Sequence, residues 1–246
     1  MSYYKAVVYL MILVFFFAAS SGKAQTSGQY AIAQSFVLHH EENGIVGTLQ
    51  LSVDKRLSES VQEKLWGNGD WSFVFPPDSS VYKDFSTHPP VKAKLCIRDS
   101  AGKIVAERNL ETPLAKLEVW NPTTEANQLF LLTQDYSTGE GSYNGLVTTL
   151  LKVSDAASHE AKALDTESHQ EGPIRLLKSL KSDWRIAQRE SKPEILSVSC
   201  HPRNDGKFVT DYARYSFDGS RWFEYKREQQ GLWESDQPFP ERSLFR

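Results

Sequence analysis

The sequence predicts a mainly β protein in which antiparallel sheets form a sandwich or a barrel, with one or two short helices. Hydrophobic and polar residues alternate through most of the chain from Tyr30 to Val153, which is the period of a half-buried strand. Turn-forming residues separate these runs, and Asp218-Gly219 joins two further runs as a hairpin. With 246 residues, of which 40% are hydrophobic and 24% charged, the chain has a globular composition and the length of one or two domains.

The N-terminus has the layout of a secretory signal peptide over residues 1–24. Lys5 precedes an apolar run from Ala6 to Ala19, and small and polar residues follow up to Ala24. The run is shorter than the roughly 20 residues that a membrane-spanning helix needs. We therefore expect cleavage after Ala24, a secreted or periplasmic protein, and no transmembrane span in the mature chain.

Residues 25–153 are predicted to form a β-rich domain. One short helix is expected where Ser60 and Glu63 have capping-box spacing and Gly67 follows the last apolar residues. Proline, serine and aspartate make most of 71–90 a predicted loop after a first short strand. The predicted strands are 31–38, 45–53, 71–75, 91–98, 103–110, 114–120, 128–134 and 146–153.

The composition changes at residues 154–172, which carry five acidic residues and one basic residue and have Leu164 as their only large aliphatic side chain. This segment is predicted to be an acidic polar linker or a long loop. It separates residues 25–153 from a C-terminal unit, 173–246. The alternative is that the two units pack as one domain.

The C-terminal unit is predicted to contain a helix and a β-hairpin. Pro173 suits a first helical turn, and at helical spacing Leu176, Leu177, Leu180 and Trp184 share one face of a helix that ends near residue 184. The hairpin consists of strands 208–217 and 221–228. A tight turn at Asp218-Gly219 would pair Tyr215 with Trp222, Tyr212 with Tyr225, and Asp211 with Lys226.

The cysteines, Cys96 and Cys200, allow a single disulfide in an oxidising compartment. Cys96 alternates with charged residues on its strand, whereas Cys200 shares a face with Leu196 and Val198. A disulfide is therefore the tentative prediction, and two separate thiols are the alternative.

Two groups of residues are candidates for ligand binding. The first is the glycine-rich segment between two predicted strands, where Asp135, Glu140, Tyr143 and Asn144 offer polar contacts. The second is an aromatic row near the C-terminus that could stack on a sugar or on an apolar partner. It consists of Trp222, Tyr225 and Trp233.

No catalytic motif is evident, and neither a metal nor a cofactor is predicted. The nucleophile elbow, the phosphate-binding loop and the second histidine of a zinc-peptidase helix are all missing from the sequence. A net charge of −3 argues against a nucleic-acid partner. The sequence therefore favours a non-enzymatic binding or envelope-interaction protein with a protein or glycan partner. The alternatives are a secreted hydrolase of a saccharide or peptide that uses dispersed carboxylates, and a structural or assembly subunit.

Overall fold

The computed structural model describes residues 28–40, 44–120, 128–138, 141, 143–153, 157–189 and 192–245. The predicted signal peptide therefore lies outside the described residues. The first part of the chain contains β1 (Tyr30–His40), β2 (Gly44–Asp54), α1 (Glu59–Leu65), α2 (Trp71–Val74), α3 (Ser80–Thr87), β3 (Lys94–Asp99), β4 (Ile104–Asn109), β5 (Ala115–Val119), β6 (Gln128–Asp135) and β7 (Leu146–Val153). The second part of the chain contains β8 (Ser158–Glu160), β9 (Lys162–Asp165), β10 (Glu171–Pro173), β11 (Arg175–Lys178), β12 (Ser182–Arg189), β13 (Lys192–Pro202), β14 (Phe208–Phe217), β15 (Trp222–Gln230) and a 3₁₀ turn (Arg242–Leu244).

The strands form three sheets, so the predicted mainly β fold class is confirmed. Sheet 1 has the order β1-β2-β3-β4, and sheet 2 has the order β11-β7-β6-β5 with β8 also paired to β7. Sheet 3 has the order β10-β9-β15-β14-β13-β12. Among the described strands, every pairing is antiparallel except that of β9 with β15.

Sheet 2 lies between the other two sheets, and its central strands β6 and β7 are largely buried on both faces. Along β6, Phe130 and Leu132 belong to the core shared with sheet 1, whereas Leu129 and Leu131 belong to the core shared with sheet 3. Alternate side chains of a strand point to opposite faces, so this uninterrupted apolar run serves two cores. The strand β11, from the predicted C-terminal unit, completes sheet 2 by pairing with β7. The division into two domains stays a prediction.

Residues 71–74 and 80–87 form helices, so the predicted strand 71–75 is wrong and the predicted loop is wrong for 80–87. The carboxylate of Asp70 accepts a hydrogen bond from Ser72 N (2.9 Å), and the hydroxyl of Ser79 accepts one from Tyr82 N (3.1 Å). These bonds cap α2 and α3, which pack on the core between sheets 1 and 2. The predicted helix before Gly67 is confirmed as α1, and Gly67 follows it with a φ of +74°.

Residues 158–165 form strands, so the prediction of a linker or a long loop is wrong for them. The backbone N–H of Ala161 donates to Leu150 O (2.7 Å), and Ala163 is buried in the core between sheets 2 and 3. The small alanine side chains allow these strands to pack closely where larger aliphatic residues are absent. The polar composition instead reflects an Asx turn, in which Asp165 Oδ1 accepts from Glu167 N and Ser168 N.

Residues 173–184 do not form the predicted helix. They contribute the end of β10, the strand β11, a turn and the start of β12. Leu176 is fully buried between sheets 2 and 3, whereas Leu180, on the same face of the predicted helix, lies in the turn with 61% of its surface exposed. The pairing of β11 with the edge of β7 therefore overrides the helical period, because tertiary packing outweighs local propensity.

The C-terminal hairpin is present as β14 and β15, but its predicted register is wrong by two residues. Phe217 pairs with Trp222, and Asp211 pairs with Glu228 rather than with Lys226. The turn is centred one residue later than predicted, because Asp218 Oδ1 accepts hydrogen bonds from Ser220 N (2.7 Å) and Arg221 N (3.0 Å). A shift of two residues keeps each side chain on its predicted face.

The tentative disulfide is wrong, because both cysteines are free and buried. Cys96 lies in β3 of sheet 1 and Cys200 in β13 of sheet 3, with sheet 2 between them. The Cys96 thiol donates to a Glu107 carboxylate oxygen (3.4 Å). Burial and the neighbouring Glu107 carboxylate raise the pKa of Cys96 to about 11, so the thiol stays protonated at neutral pH.

Candidate functional site

Three loops surround a cleft of about 650 Å³, within the size range of small-molecule sites. We call it the three-loop cleft. It is lined by Gly67 and Asn68 after α1, by the β6–β7 loop, by the β11–β12 turn with Asp183, and by Ser235. A backbone bond from Ser235 N to Leu180 O (2.9 Å) ties the C-terminal segment to the turn. The predicted glycine-rich segment thus forms one of the walls.

Asp135 holds two of these loops together. Its side chain is buried, and Oδ2 accepts a hydrogen bond from Gly67 N (2.7 Å) while Oδ1 accepts one from Ser137 N (2.9 Å). The turn after α1 is therefore fixed against the start of the β6–β7 loop. Asp135, predicted as a ligand contact, is placed instead to position the residues that line the cleft.

The other predicted residues of this loop are more exposed. Asn144 lines the cleft, and its Nδ2 donates to Thr138 Oγ1 (2.9 Å). Tyr143 is adjacent in sequence and 42% exposed, whereas Glu140 lies outside the described residues. The loop approaches the opposite wall so closely that a Cβ on Gly145 would lie 2.0 Å from Lys178 O. Only glycine allows this contact between the two walls.

The opposite wall comes from the β11–β12 turn and carries the charged side chains of the cleft. Lys178 Nζ lies 3.5 Å from Asp183 Oδ1, an atom that is buried and accepts no hydrogen bond from any described residue. Leu180 of the same turn also lines the cleft and has an exposed apolar side chain. This wall was not predicted from the sequence, because the helical spacing of its leucines favoured a helix over the segment.

The predicted aromatic row does not form. Trp222 is buried between sheets 2 and 3, and Trp233 is buried in a separate cluster on the outer face of sheet 3. Tyr225 is half-buried on that outer face, where the Arg214 guanidinium lies 4.3 Å from its ring centroid. The three side chains thus pack in different places instead of presenting one stacking surface.

A second cleft, of about 800 Å³, is lined by residues of β13, β14 and β15 in sheet 3 and by two residues of β11. Asp211 and Glu228, which oppose each other on β14 and β15, both line it. Burial raises the pKa of Asp211, and the nearby Glu228 charge adds to this effect, while His201, whose Nδ1 lies 3.2 Å from Asp211 Oδ2, opposes it. We call it the carboxylate cleft. The incorrect hairpin register hid this carboxylate pair from sequence analysis.

Neither a metal-ligand cluster nor a membrane-spanning helix is found among the described residues. Among those residues, no three His, Cys, Asp or Glu side chains are grouped so as to hold a metal ion. No helix within the described ranges is long and apolar enough to cross a membrane. Comparisons with protein-family models, with curated proteins and with solved structures found no match for this chain.

Proposed function

We propose that this chain is an exported, non-enzymatic binding protein and that the three-loop cleft is its ligand site. The observation that supports this most directly is the convergence of three separate loops, two of them held together by Asp135, around one cleft of ligand size. Loops held by a rigid β scaffold are common positions for binding residues. The signal-peptide pattern of residues 1–24 supports export.

The lining of the cleft favours an uncharged, polyhydroxylated ligand such as a glycan. Its amides and hydroxyls can donate and accept hydrogen bonds, as a sugar hydroxyl also does. The charged pair Lys178 and Asp183 is internally balanced, so it does not select a ligand of either sign. Leu180 adds an exposed apolar surface for a sugar ring. The polar lining residues are Asn68, Ser137, Thr138, Asn144, Ser179 and Ser235.

The binding test uses an array of neutral oligosaccharides and peptidoglycan fragments probed with labelled protein. Wild-type protein is expected to bind a subset of these glycans, and Asn68→Ala and Asn144→Ala are each expected to weaken binding about tenfold, the effect of losing one or two hydrogen bonds. Asn109→Ala, on an exposed site at the end of β4, is the matched control and should leave binding unchanged. A failure to bind any glycan, or equal affinity in all four proteins, would contradict the proposal.

The export proposal has its own test, independent of ligand binding. An intact mass of protein isolated from its native host is expected to match residues 25–246 after cleavage at Ala24. Recovery of the full-length chain in the cytoplasmic fraction would contradict export.

The carboxylate cleft supports hydrolysis of a saccharide or a peptide as a second candidate function. Directly opposed residues on antiparallel strands bring Asp211 and Glu228 within reach of one substrate. Because burial raises its pKa, Asp211 is the candidate proton donor of this pair. Release of product from oligosaccharide or peptide substrates that is abolished by Asp211→Asn and by Glu228→Gln would establish this activity. No turnover by the wild-type protein across pH 4–8 would exclude it for those substrates.

A further inference from the structure

A third pocket, of about 310 Å³, lies on sheet 2 where sheet 1 no longer covers it. Its volume is at the lower end of the range for small-molecule sites. We call it the Tyr136 pocket. It shares no lining residue with the three-loop cleft, whereas Arg175 and Leu177 of β11 also line the carboxylate cleft.

The floor of the pocket is a row of side chains across three strands of sheet 2. Val147 of β7 lies between Gln134 of β6 and Leu177 of β11 in the strand register. Along β7, Val147 shares a face with Leu151, which belongs to the core between sheets 1 and 2. Val147 and Leu177 are half-buried, so they offer a ligand a small apolar surface beside the Gln134 amide.

One side of the pocket carries two guanidinium groups that share a carboxylate. Glu160 and Arg175 lie close together because β8 and β11 follow each other along the same edge of β7. Arg175 Nη2 lies 3.5 Å from Glu160 Oε2, and Arg108 Nη1 lies 4.0 Å from Glu160 Oε1. Both distances exceed the usual length of a hydrogen bond, so these ion pairs leave the N–H groups of Arg175 able to donate to a ligand.

The other side carries a second carboxylate, that of Glu111 in the β4–β5 connection. Tyr136 Oη donates to Glu111 Oε2 (2.7 Å), and Glu111 N donates to Gln134 Oε1 (2.8 Å). The second bond orients the Gln134 amide, whose NH₂ group remains a donor. Burial and the Glu111 carboxylate raise the pKa of Tyr136 to about 12, so its hydroxyl stays protonated at neutral pH. Within the described part of the chain, the partner of the Glu111 carboxylate is therefore an uncharged group.

The charges of the pocket sum to zero but are separated. Glu160 is the one carboxylate among the described residues that pairs with Arg108 or Arg175, so one positive charge remains beside β11. Glu111 contributes one negative charge beside β6, to which its backbone is bonded through Gln134. The charge of Arg175 also acts on the Tyr136 hydroxyl that holds Glu111, which indicates that one small ligand could reach both sides.

A zwitterion matches this arrangement better than an ion of either sign. The α-amino and α-carboxyl groups of a free amino acid are both ionised at neutral pH. Arginine binds a carboxylate with paired hydrogen bonds, and a glutamate carboxylate accepts hydrogen bonds from an ammonium group. The apolar floor between the two charged sides fits an aliphatic side chain.

We propose that the Tyr136 pocket binds a free aliphatic amino acid, with its α-carboxylate on Arg175, its α-ammonium on Glu111 and its side chain on Val147 and Leu177. Tyr136 is a positioning residue, because it orients the Glu111 carboxylate. This site is independent of the proposed glycan site, since it lies on different residues and takes a charged ligand.

The test is calorimetry at pH 7 and low ionic strength with the mature chain, residues 25–246. The probes are L-alanine, L-valine, L-leucine and L-isoleucine, of which at least one is expected to bind. The tightest binder is then compared with its N-acetyl derivative, which lacks the ammonium group, and with its amide, which lacks the carboxylate. Each derivative is expected to bind about tenfold or more weakly, because one charged contact is lost.

Matched variants distinguish the pocket from general surface charge. Glu111→Gln and Arg175→Gln are each expected to weaken amino acid binding about tenfold or more, for the same reason. Glu118→Gln and Arg203→Gln are the controls, since both residues are exposed and line neither this pocket nor the two clefts. They should change the affinity less than about twofold. Circular dichroism verifies that each variant is folded.

Four results would overturn the proposal. The first is that the folded wild-type protein binds none of the four amino acids. The second is that the N-acetyl and amide derivatives bind as tightly as the parent amino acid. The third is that binding persists undiminished in Glu111→Gln and Arg175→Gln. The fourth is that the control variants weaken binding as much as these two do.

Discussion

Asp54 is the carboxylate on which the stability of sheet 1 should depend most strongly. Its side chain is fully buried at the end of β2 and accepts four hydrogen bonds. Oδ1 accepts from Arg56 N and Arg56 Nε, both at 3.0 Å, and Oδ2 accepts from Arg56 Nη2 (2.6 Å) and Val91 N (3.1 Å). The Arg56 guanidinium also reaches Asp84 and the His88 carbonyl, so this cluster fixes the end of α3 against sheet 1.

The perturbation is Asp54→Asn, which keeps the shape of the side chain. Each carboxylate oxygen of Asp54 accepts two hydrogen bonds. In either orientation of the asparagine amide, an NH₂ group replaces one of these oxygens, so two hydrogen bonds are lost and two N–H donors face a group that cannot accept. Bonds of this kind to a charged group contribute about 1.5–3 kcal/mol each. Arg56 is 24% exposed and regains some hydration, so we expect a loss of about 3 kcal/mol in the free energy of unfolding at pH 7.

The loss should also depend on pH. Burial opposes ionisation of Asp54, but the hydrogen bonds from Arg56 and Val91 outweigh it and hold the pKa below its ordinary value of 3.8. A carboxyl whose pKa is lowered in the folded state stabilises the protein above its unfolded pKa and loses that effect as the pH falls through the folded pKa. The difference between wild type and Asp54→Asn should therefore be largest near pH 7 and decrease below about pH 4.

Urea unfolding followed by tryptophan fluorescence measures both effects. Asp84→Asn is the matched control, because Asp84 contacts the same guanidinium (3.2 Å) but is 47% exposed, and exposed pairs contribute less than about 1 kcal/mol. Equal stability of the two variants at pH 7 would contradict this role of Asp54, as would a deficit of Asp54→Asn that persists unchanged at acid pH.

Three further predictions concern other parts of the fold. Gly145→Ala should lower the free energy of unfolding by about 1–3 kcal/mol, because the Cβ of the alanine would lie 2.0 Å from Lys178 O. Calorimetry measures this loss, and an unchanged melting temperature would contradict the close contact. Gly219→Val should lower the free energy of unfolding by about 1–2 kcal/mol in the same measurement, because φ is +111° at this position. No atom lies within 4 Å of the added Cβ, so the loss would come from backbone strain rather than from a steric clash. An unchanged stability would argue against this turn. Unfolding without reductant should expose two thiols to labelling, from Cys96 and Cys200, and no labelling would indicate a disulfide.

The elements that sequence analysis located well are those in which local pattern and tertiary environment agree. The bounds of β7 match the predicted strand 146–153, and Gly67 follows α1 in the left-handed conformation expected of a helix end. Both depend on short-range features, namely strand alternation and a glycine that accepts a positive φ. The helices α2 and α3 had readable signals in Asp70 and Ser79, but the surrounding prolines and serines favoured a loop.

The failures share another physical cause, which is pairing between segments distant in sequence. The pattern of residues 173–184 fits a helix, yet the open edge of β7 takes up β11 and buries Leu176. Residues 162–165 are too polar to predict as a strand by themselves, and they become one because β9 pairs with the distant strand β15. Neither partner edge can be identified from the composition of the segment itself.

The same pairing determines where the three-loop cleft lies and why only half of it was predicted. In the antiparallel register of β7 with β11, Lys178 is opposite Leu146, so the turn after β11 must lie beside the loop that precedes β7. If residues 173–184 formed a helix, the side chains of Lys178 and Asp183 would point about 140° apart around its axis. They could not then face Gly145 together as one wall. The glycine-rich loop was identifiable from its composition, but the cleft exists only because a strand replaces the helix. A substitution that weakens the β7–β11 pairing should therefore impair ligand binding even when it touches no residue that lines the cleft.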